Sequence, residues 1–159
     1  PTEHLNEMSK YFVRVSNVVV NKGHEFENSV ERATGGCCDY GVPQEVVQDA
    51  PIRPDCRTPE GCLFCNKFRV HADERDTRKL LSCNYCLLLS SPLAESHEQF
   101  KRLFSPILDR IQLILGEIKA RVPGLVEQIK VEVEEEGELD PYWAGKIEML
   151  NALELVAVQ

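Results

Sequence analysis

Residues 61–86 read Gly61-Cys-Leu-Phe-Cys65-Asn-Lys-Phe-Arg-Val70-His-Ala-Asp-Glu-Arg75-Asp-Thr-Arg-Lys-Leu80-Leu-Ser-Cys-Asn-Tyr-Cys86. Two Cys-x-x-Cys pairs, Cys62/Cys65 and Cys83/Cys86, are separated by 17 residues. That is the spacing of a four-thiolate zinc site. Two cysteines in one tight turn present both sulfurs to one ion, and two such turns complete a tetrahedron. Gly61 suits the first turn because it admits backbone conformations closed to other residues, and an all-sulfur donor set selects zinc. The expectation is a structural Zn2+ held by Cys62, Cys65, Cys83 and Cys86. A second arrangement joins Cys56, Cys62 and Cys65 in a three-thiolate cluster completed by His71 or Cys38. Cys37-Cys38, after Gly35-Gly36, reads as a turn packed with small residues. The competing explanation for the pairs is buried free thiols, since unligated cysteine is among the most buried residue types.

Outward from this module the pattern becomes helical. Ile107, Ile111, Ile114 and Ile118 form one stripe, widened by Leu108, Leu115 and Val122. Ser91-Pro92 and Ser105-Pro106 each set a capping residue before a proline suited to the first helical turn. Pro123 is expected to open another helix, with Val126, Ile129 and Val133 on one face up to Gly137. Asp140-Pro141 caps a last helix carrying Trp143, Ile147, Leu150 and Leu153. Such stripes are core-facing, and Glu132 to Glu138 reads as a solvated helix end. Toward the N-terminus, Leu5, Met8, Phe12, Val15 and Val19 fall at helical spacing, against a β-branched content from Tyr11 to Val20 that pulls toward strand. Asn28 to Thr34 is expected to be a short helix stopped by Gly35-Gly36. Pro43, Pro51, Pro54 and Pro59 mark an irregular connection. The predicted fold is mainly α: a helical bundle with an inserted four-cysteine zinc knuckle and little β. Its segments are residues 1–52 (helical and irregular), 53–90 (the cysteine module) and 91–159 (the bundle), packed as one unit.

The 159 residues carry a net charge of −8, which argues against a free-standing DNA-coating protein. Residues 53–86 alone have a positive balance, with 7 basic and 5 acidic side chains. Within them Lys67, Arg69, Arg75, Arg78 and Lys79 are the candidates for nucleic-acid contact, interleaved with Phe64, Phe68 and Tyr85. Against this stands a solvated face neutralised by Glu60, Asp73, Glu74 and Asp76, with Asp76 and Lys79 at helical pairing distance. Seven cysteines, an odd number, in a sequence without a basic n-region and apolar stretch at its start suit a reducing, cytoplasmic setting better than a disulfide framework. No apolar run approaches the roughly 20 residues of a membrane span.

No phosphate-binding Gly-rich loop, GxSxG or HExxH is present. His71 lies between the two cysteine pairs, where HNH-like nucleases hold a catalytic histidine. His97 is the residue available to complete a hydrolytic metal site. With only 11 residues between His71 and Cys83, little room remains for the hairpin such a site needs.

The stretch Thr58 to Ser82, together with Gly137-Glu-Leu-Asp-Pro-Tyr-Trp143, resembles the C-terminal regions of large integrase-like proteins on bacterial genomic islands, which are related to tyrosine recombinases. The resemblance covers most of the chain. It implies an accessory region of a longer protein whose catalytic domain lies upstream, acting in DNA integration or recombination on a mobile element. Tyrosine recombinases carry a His-x-x-Arg box, whereas the residues three positions after the four histidines are Glu7, Glu27, Glu74 and Phe100. No catalytic residue is therefore carried over, including any tyrosine. The function expected is a non-catalytic, zinc-binding accessory domain that contacts DNA or a recombination-complex subunit, with no small-molecule substrate and no membrane. The alternatives are a stand-alone zinc-dependent protein-interaction or regulatory module and, third, an HNH-like metal-dependent nuclease.

Overall fold

The computed structural model describes residues 19–21, 30–46 and 50–158. Of the stripe Leu5, Met8, Phe12, Val15 and Val19, the first four lie outside the described residues, and Val19 opens a short strand rather than a helix. Four helices dominate: α1 (Glu74–Leu89), α2 (His97–Arg121), α3 (Leu125–Glu134) and α4 (Pro141–Val158). Ahead of them is a four-stranded sheet of short strands, β1 (Val19–Asn21), β2 (Val30–Arg32), β3 (Gly35–Cys37) and β4 (Phe68–His71), in the order β1-β4-β3-β2. The expected mainly helical class holds, and the sheet is an addition to it.

Over residues 30–34 the sheet replaces the expected helix, whose first two residues, Asn28 and Ser29, lie outside the described residues. β2 and β3 form an antiparallel hairpin in which Val30 faces Cys37 and Arg32 faces Gly35. β3 then pairs antiparallel with β4, Gly36 opposite Arg69, and β1 adds to β4 in parallel. Gly35 is in the strand because of what crosses it: a Cβ there would sit 2.7 Å from a ring carbon of Phe68. The glycine pair is thus a close-approach site rather than a helix stop. A single 3-10 turn, Pro59–Phe64, leads into the first cysteine pair.

The caps correct two expected helix starts. Ser91–Leu93 is only one 3-10 turn, and α2 begins after Ser96, whose hydroxyl accepts from the Gln99 amide at 3.0 Å. Pro106 opens no helix but lies inside α2. At Pro123 the chain turns, and α3 starts after Gly124 in the left-handed region (φ 88°). Asp140-Pro141 caps α4 as expected, with the Asp140 carboxylate accepting from the Tyr142 amide at 3.1 Å. No helix among the described residues is long and apolar enough to cross a membrane.

One hydrophobic core joins these parts. Leu63, Phe64, Phe68 and Val70 from the turn and sheet pack with Leu80, Leu81 and Leu87 of α1 and with Ile107, Ile111, Ile114 and Ile118 of α2. Ile129, Val133 and Trp143 close it. Two side chains tie the helices to the cysteine half by hydrogen bonds across long sequence separations. Trp143 Nε1 donates to Ala33 O at 2.7 Å, and the buried Arg110 donates from Nε to Leu63 O at 2.9 Å.

Candidate metal centre

The two cysteine pairs end in different surroundings. Cys62 lies in the 3-10 turn and Cys65 caps it, its amide returning to Cys62 O at 3.1 Å. Cys83 and Cys86 lie in the middle of α1, one helical turn apart, as part of the hydrophobic core. The tight turn expected for the second pair is absent because Asp73 caps a continuous helix, accepting from the Asp76 amide at 2.9 Å. Beyond that cap the apolar positions of α1 run unbroken to Leu87. Burial pushes the Cys83 thiol well above its ordinary pKa, with Glu60 adding to the effect. No three of Cys62, Cys65, Cys83 and Cys86 have sulfurs within 4.8 Å of one another. A zinc knuckle made from these two pairs is not formed among the described residues.

The first pair has other cysteines for neighbours. Cys37, Cys56, Cys62 and Cys65 together line one small, partly open pocket of about 20 Å³, with Arg32, Tyr40 and Phe68 also in its wall. The sheet register brings this about: Cys37 is opposite Phe68 in the β3–β4 ladder, and the Cys38 amide donates to Lys67 O at 2.9 Å. Glu45 bridges to Cys65 from the Pro-rich connection. Cys38 itself points outward and is exposed.

The sulfurs are individually prepared. Cys65 Sγ accepts from the Lys67 amide at 3.5 Å. Burial raises the Cys37 thiol pKa, an effect the Asp39 amide opposes. Burial raises that of Cys62 as well, and there the nearby guanidinium of Arg32 pulls the other way. Arg32 also donates from Nη2 to Cys56 O at 2.7 Å. Cys56 holds φ at 64°, a left-handed conformation that costs a non-glycine residue of order 1 kcal/mol. As with the other set, no three of these four sulfurs lie mutually within 4.8 Å. Cys56, Cys62 and Cys65, which spacing groups together, share this pocket, but neither His71 nor Cys38, the expected fourth members, lines it. Cys37 stands there instead, delivered by β pairing rather than by sequence proximity.

The five basic residues nominated for nucleic acid are all engaged within the chain. Lys79 is 5% exposed and donates to Gly35 O at 3.2 Å, with Asp76 at 3.6 Å. Arg78 donates to Glu138 O at 2.7 Å and meets Glu132 at 3.5 Å, tying α1 to the end of α3. Arg75 reaches Glu31 at 2.7 Å. Arg69 folds back onto the carbonyls of Asn66 and Phe68, both at 2.8 Å. Lys67 stands 3.9 Å from Asp39. Arg75, Arg78 and Lys79 border an open groove of about 610 Å³, whose other wall residues include Glu31, Glu74 and Asp140. The groove is of mixed sign rather than a basic cradle.

His71, at the end of β4, holds Nδ1 2.9 Å from Asp76 Oδ2, which also accepts the His71 amide at 2.8 Å. Among the described residues the only group of three or more metal-type donors lying mutually within 4.8 Å is the carboxylates of Glu132, Glu136 and Glu138. They border the Arg78 contact. Neither His71 nor His97 belongs to a converging group.

The chain matches no protein-family model, no curated protein and no solved structure.

Proposed function

We propose that this chain is a non-catalytic, zinc-binding accessory domain that docks a partner protein rather than DNA, with the metal serving a structural role. The resemblance of Thr58–Ser82 and Gly137–Trp143 to integrase-like proteins makes a recombination complex the setting. The observation that favours protein over DNA is the engagement of the candidate cations: Lys79 is buried, while Arg75 and Arg78 are matched to glutamates. Lysine and arginine gain affinity for DNA by displacing the counterions condensed on its phosphates, and cations already paired with carboxylates within the fold contribute less to it.

The contact surface is α4. Trp143 faces the core with Ile147 and Leu150 packed beside it, while Tyr142, Met149 and Leu153 remain exposed. At about 100° per residue these three fall in one stripe roughly a quarter-turn from the buried face. An apolar stripe left outside a satisfied core marks an interaction surface.

Fluorescence anisotropy with a labelled duplex of about 30 base pairs at physiological salt tests the choice. The expected dissociation constant is weaker than about 10 µM and unchanged by Lys67→Ala with Arg69→Ala. Tighter binding that weakens steeply with salt and is lost in that double variant would establish DNA as the partner. In the complementary arm, an integrase-like catalytic domain is expected to retain the chain, and Met149→Asp with Leu153→Asp to release it. Equal retention of that variant would remove α4 from the contact.

A further inference from the structure

The geometry points to a tetrathiolate zinc site formed by Cys37, Cys56, Cys62 and Cys65, a ligand set drawn from the β3 edge, the Pro-rich connection and the 3-10 turn. This inference rests on the zinc-binding reading above and specifies where the ion sits; Cys83 and Cys86 have no part in it.

Four observations carry it. The four cysteines, and no others, line one pocket of about 20 Å³, space on the scale of a single small sphere. The Cys65 sulfur accepts a hydrogen bond from the Lys67 amide at 3.5 Å. Such an amide donor favours the thiolate over the thiol and holds it in orientation, as hydrogen bonds around a metal's ligands do. Cys56 is fixed in a left-handed conformation, and its carbonyl is held by Arg32. Strain at a non-glycine residue persists only where its surroundings over-determine it, and such residues gather at functional sites. Finally, four thiolates on a divalent ion leave a net charge of −2, and the Arg32 guanidinium, which lines the same pocket and donates to the Cys56 carbonyl at 2.7 Å, is placed to offset part of it.

Tetrahedral zinc–sulfur bonds of about 2.3 Å set the sulfurs about 3.8 Å apart. The four sulfurs are spread wider than that, since no three fall mutually within 4.8 Å, so ligation requires the thiols to turn into the pocket they share. Cys83 and Cys86 lie instead on a continuous helix packed into the core. Binding also releases the thiol protons to solvent as the Zn–S bonds form, so charge and atoms balance without any redox partner.

Elemental analysis of the full chain purified without added metal, run on single variants, tests the assignment. One zinc per chain is expected in the parent protein and in Cys83→Ala and Cys86→Ala. Cys37→Ser and Cys56→Ser are expected to weaken zinc retention at least tenfold in competition with a chromophoric chelator. Because a serine variant can lose metal by failing to fold, Co2+ substitution of the parent supplies a second readout. It should give the intense thiolate-to-cobalt charge transfer of an all-sulfur tetrahedral site, undiminished in Cys83→Ala. Zinc kept in Cys37→Ser and Cys56→Ser but lost in Cys83→Ala would return the site to the paired motif and overturn this ligand set alone. No zinc in the parent protein, whether its thiols are free or oxidised to a disulfide, would overturn both this inference and the zinc-binding reading.

Discussion

Asp76 shows how a polar side chain is made to fit an apolar interior. It is 4% exposed, yet its carboxylate accepts from the His71 amide and ring and stands 3.6 Å from the Lys79 ammonium. Lys79 in turn donates to Gly35 O. The Asp76–Lys79 pair thereby stitches α1 to the ends of β3 and β4. Removing one partner of a buried pair strands the other, so Asp76→Ala should cost about 3 kcal/mol. Urea unfolding followed by Trp143 fluorescence measures it. A loss under about 1 kcal/mol would mean that the pair is solvated and that Lys79 is free to serve elsewhere. Arg32 illustrates the opposite limit: its charge is spent on the thiol cluster and the Cys56 carbonyl.

At the scale of elements, the sheet and helices differ in how visible they were. The stripe Ile107, Ile111, Ile114, Ile118 announced α2 because a helical face needs only local periodicity, and all four side chains are buried. The strands are three or four residues long, too short for an alternating pattern to develop. Their stability comes from partners distant in sequence, which periodicity does not register. Pro106 misled for a related reason: a proline before which Ser105 offers a cap resembles a helix start, while the working cap is Ser96, nine residues earlier. The second cysteine pair is the same lesson at the site, because CxxC in a turn and CxxC in a helix share a spacing. The glycines give a direct test. Gly35→Ala places a methyl 2.7 Å from the Phe68 ring and should destabilise by about 2 kcal/mol. Gly116→Ala, inside α2 with nothing within 4 Å of its Cβ position, should stabilise by about 0.5–1 kcal/mol. Opposite signs in thermal unfolding support the assignments. A neutral Gly35→Ala would mean that the hairpin does not pass beneath Phe68.

For the whole molecule, the two halves rest on different sources of stability. α2, α3 and the buried face of α4 share a conventional apolar core. The sheet, the Pro-rich connection and the 3-10 turn send Leu63, Phe64, Phe68 and Val70 into that core but are themselves built of short or irregular elements. Their four cysteines line one pocket, where crosslinking would hold these elements together. On the proposed zinc site, a metal bound to the folded state alone would add its binding free energy to the stability of what it holds. Hydrogen exchange on the zinc-loaded chain with and without a strong chelator tests this division most directly. The account predicts that chelation deprotects the amides of Gly35–Cys37 and Cys62–His71 at least tenfold while those of α2, from Ile107 to Ile118, change little. Equal protection of both regions with and without chelator, or loss concentrated around Cys83 and Cys86 on α1, would contradict it.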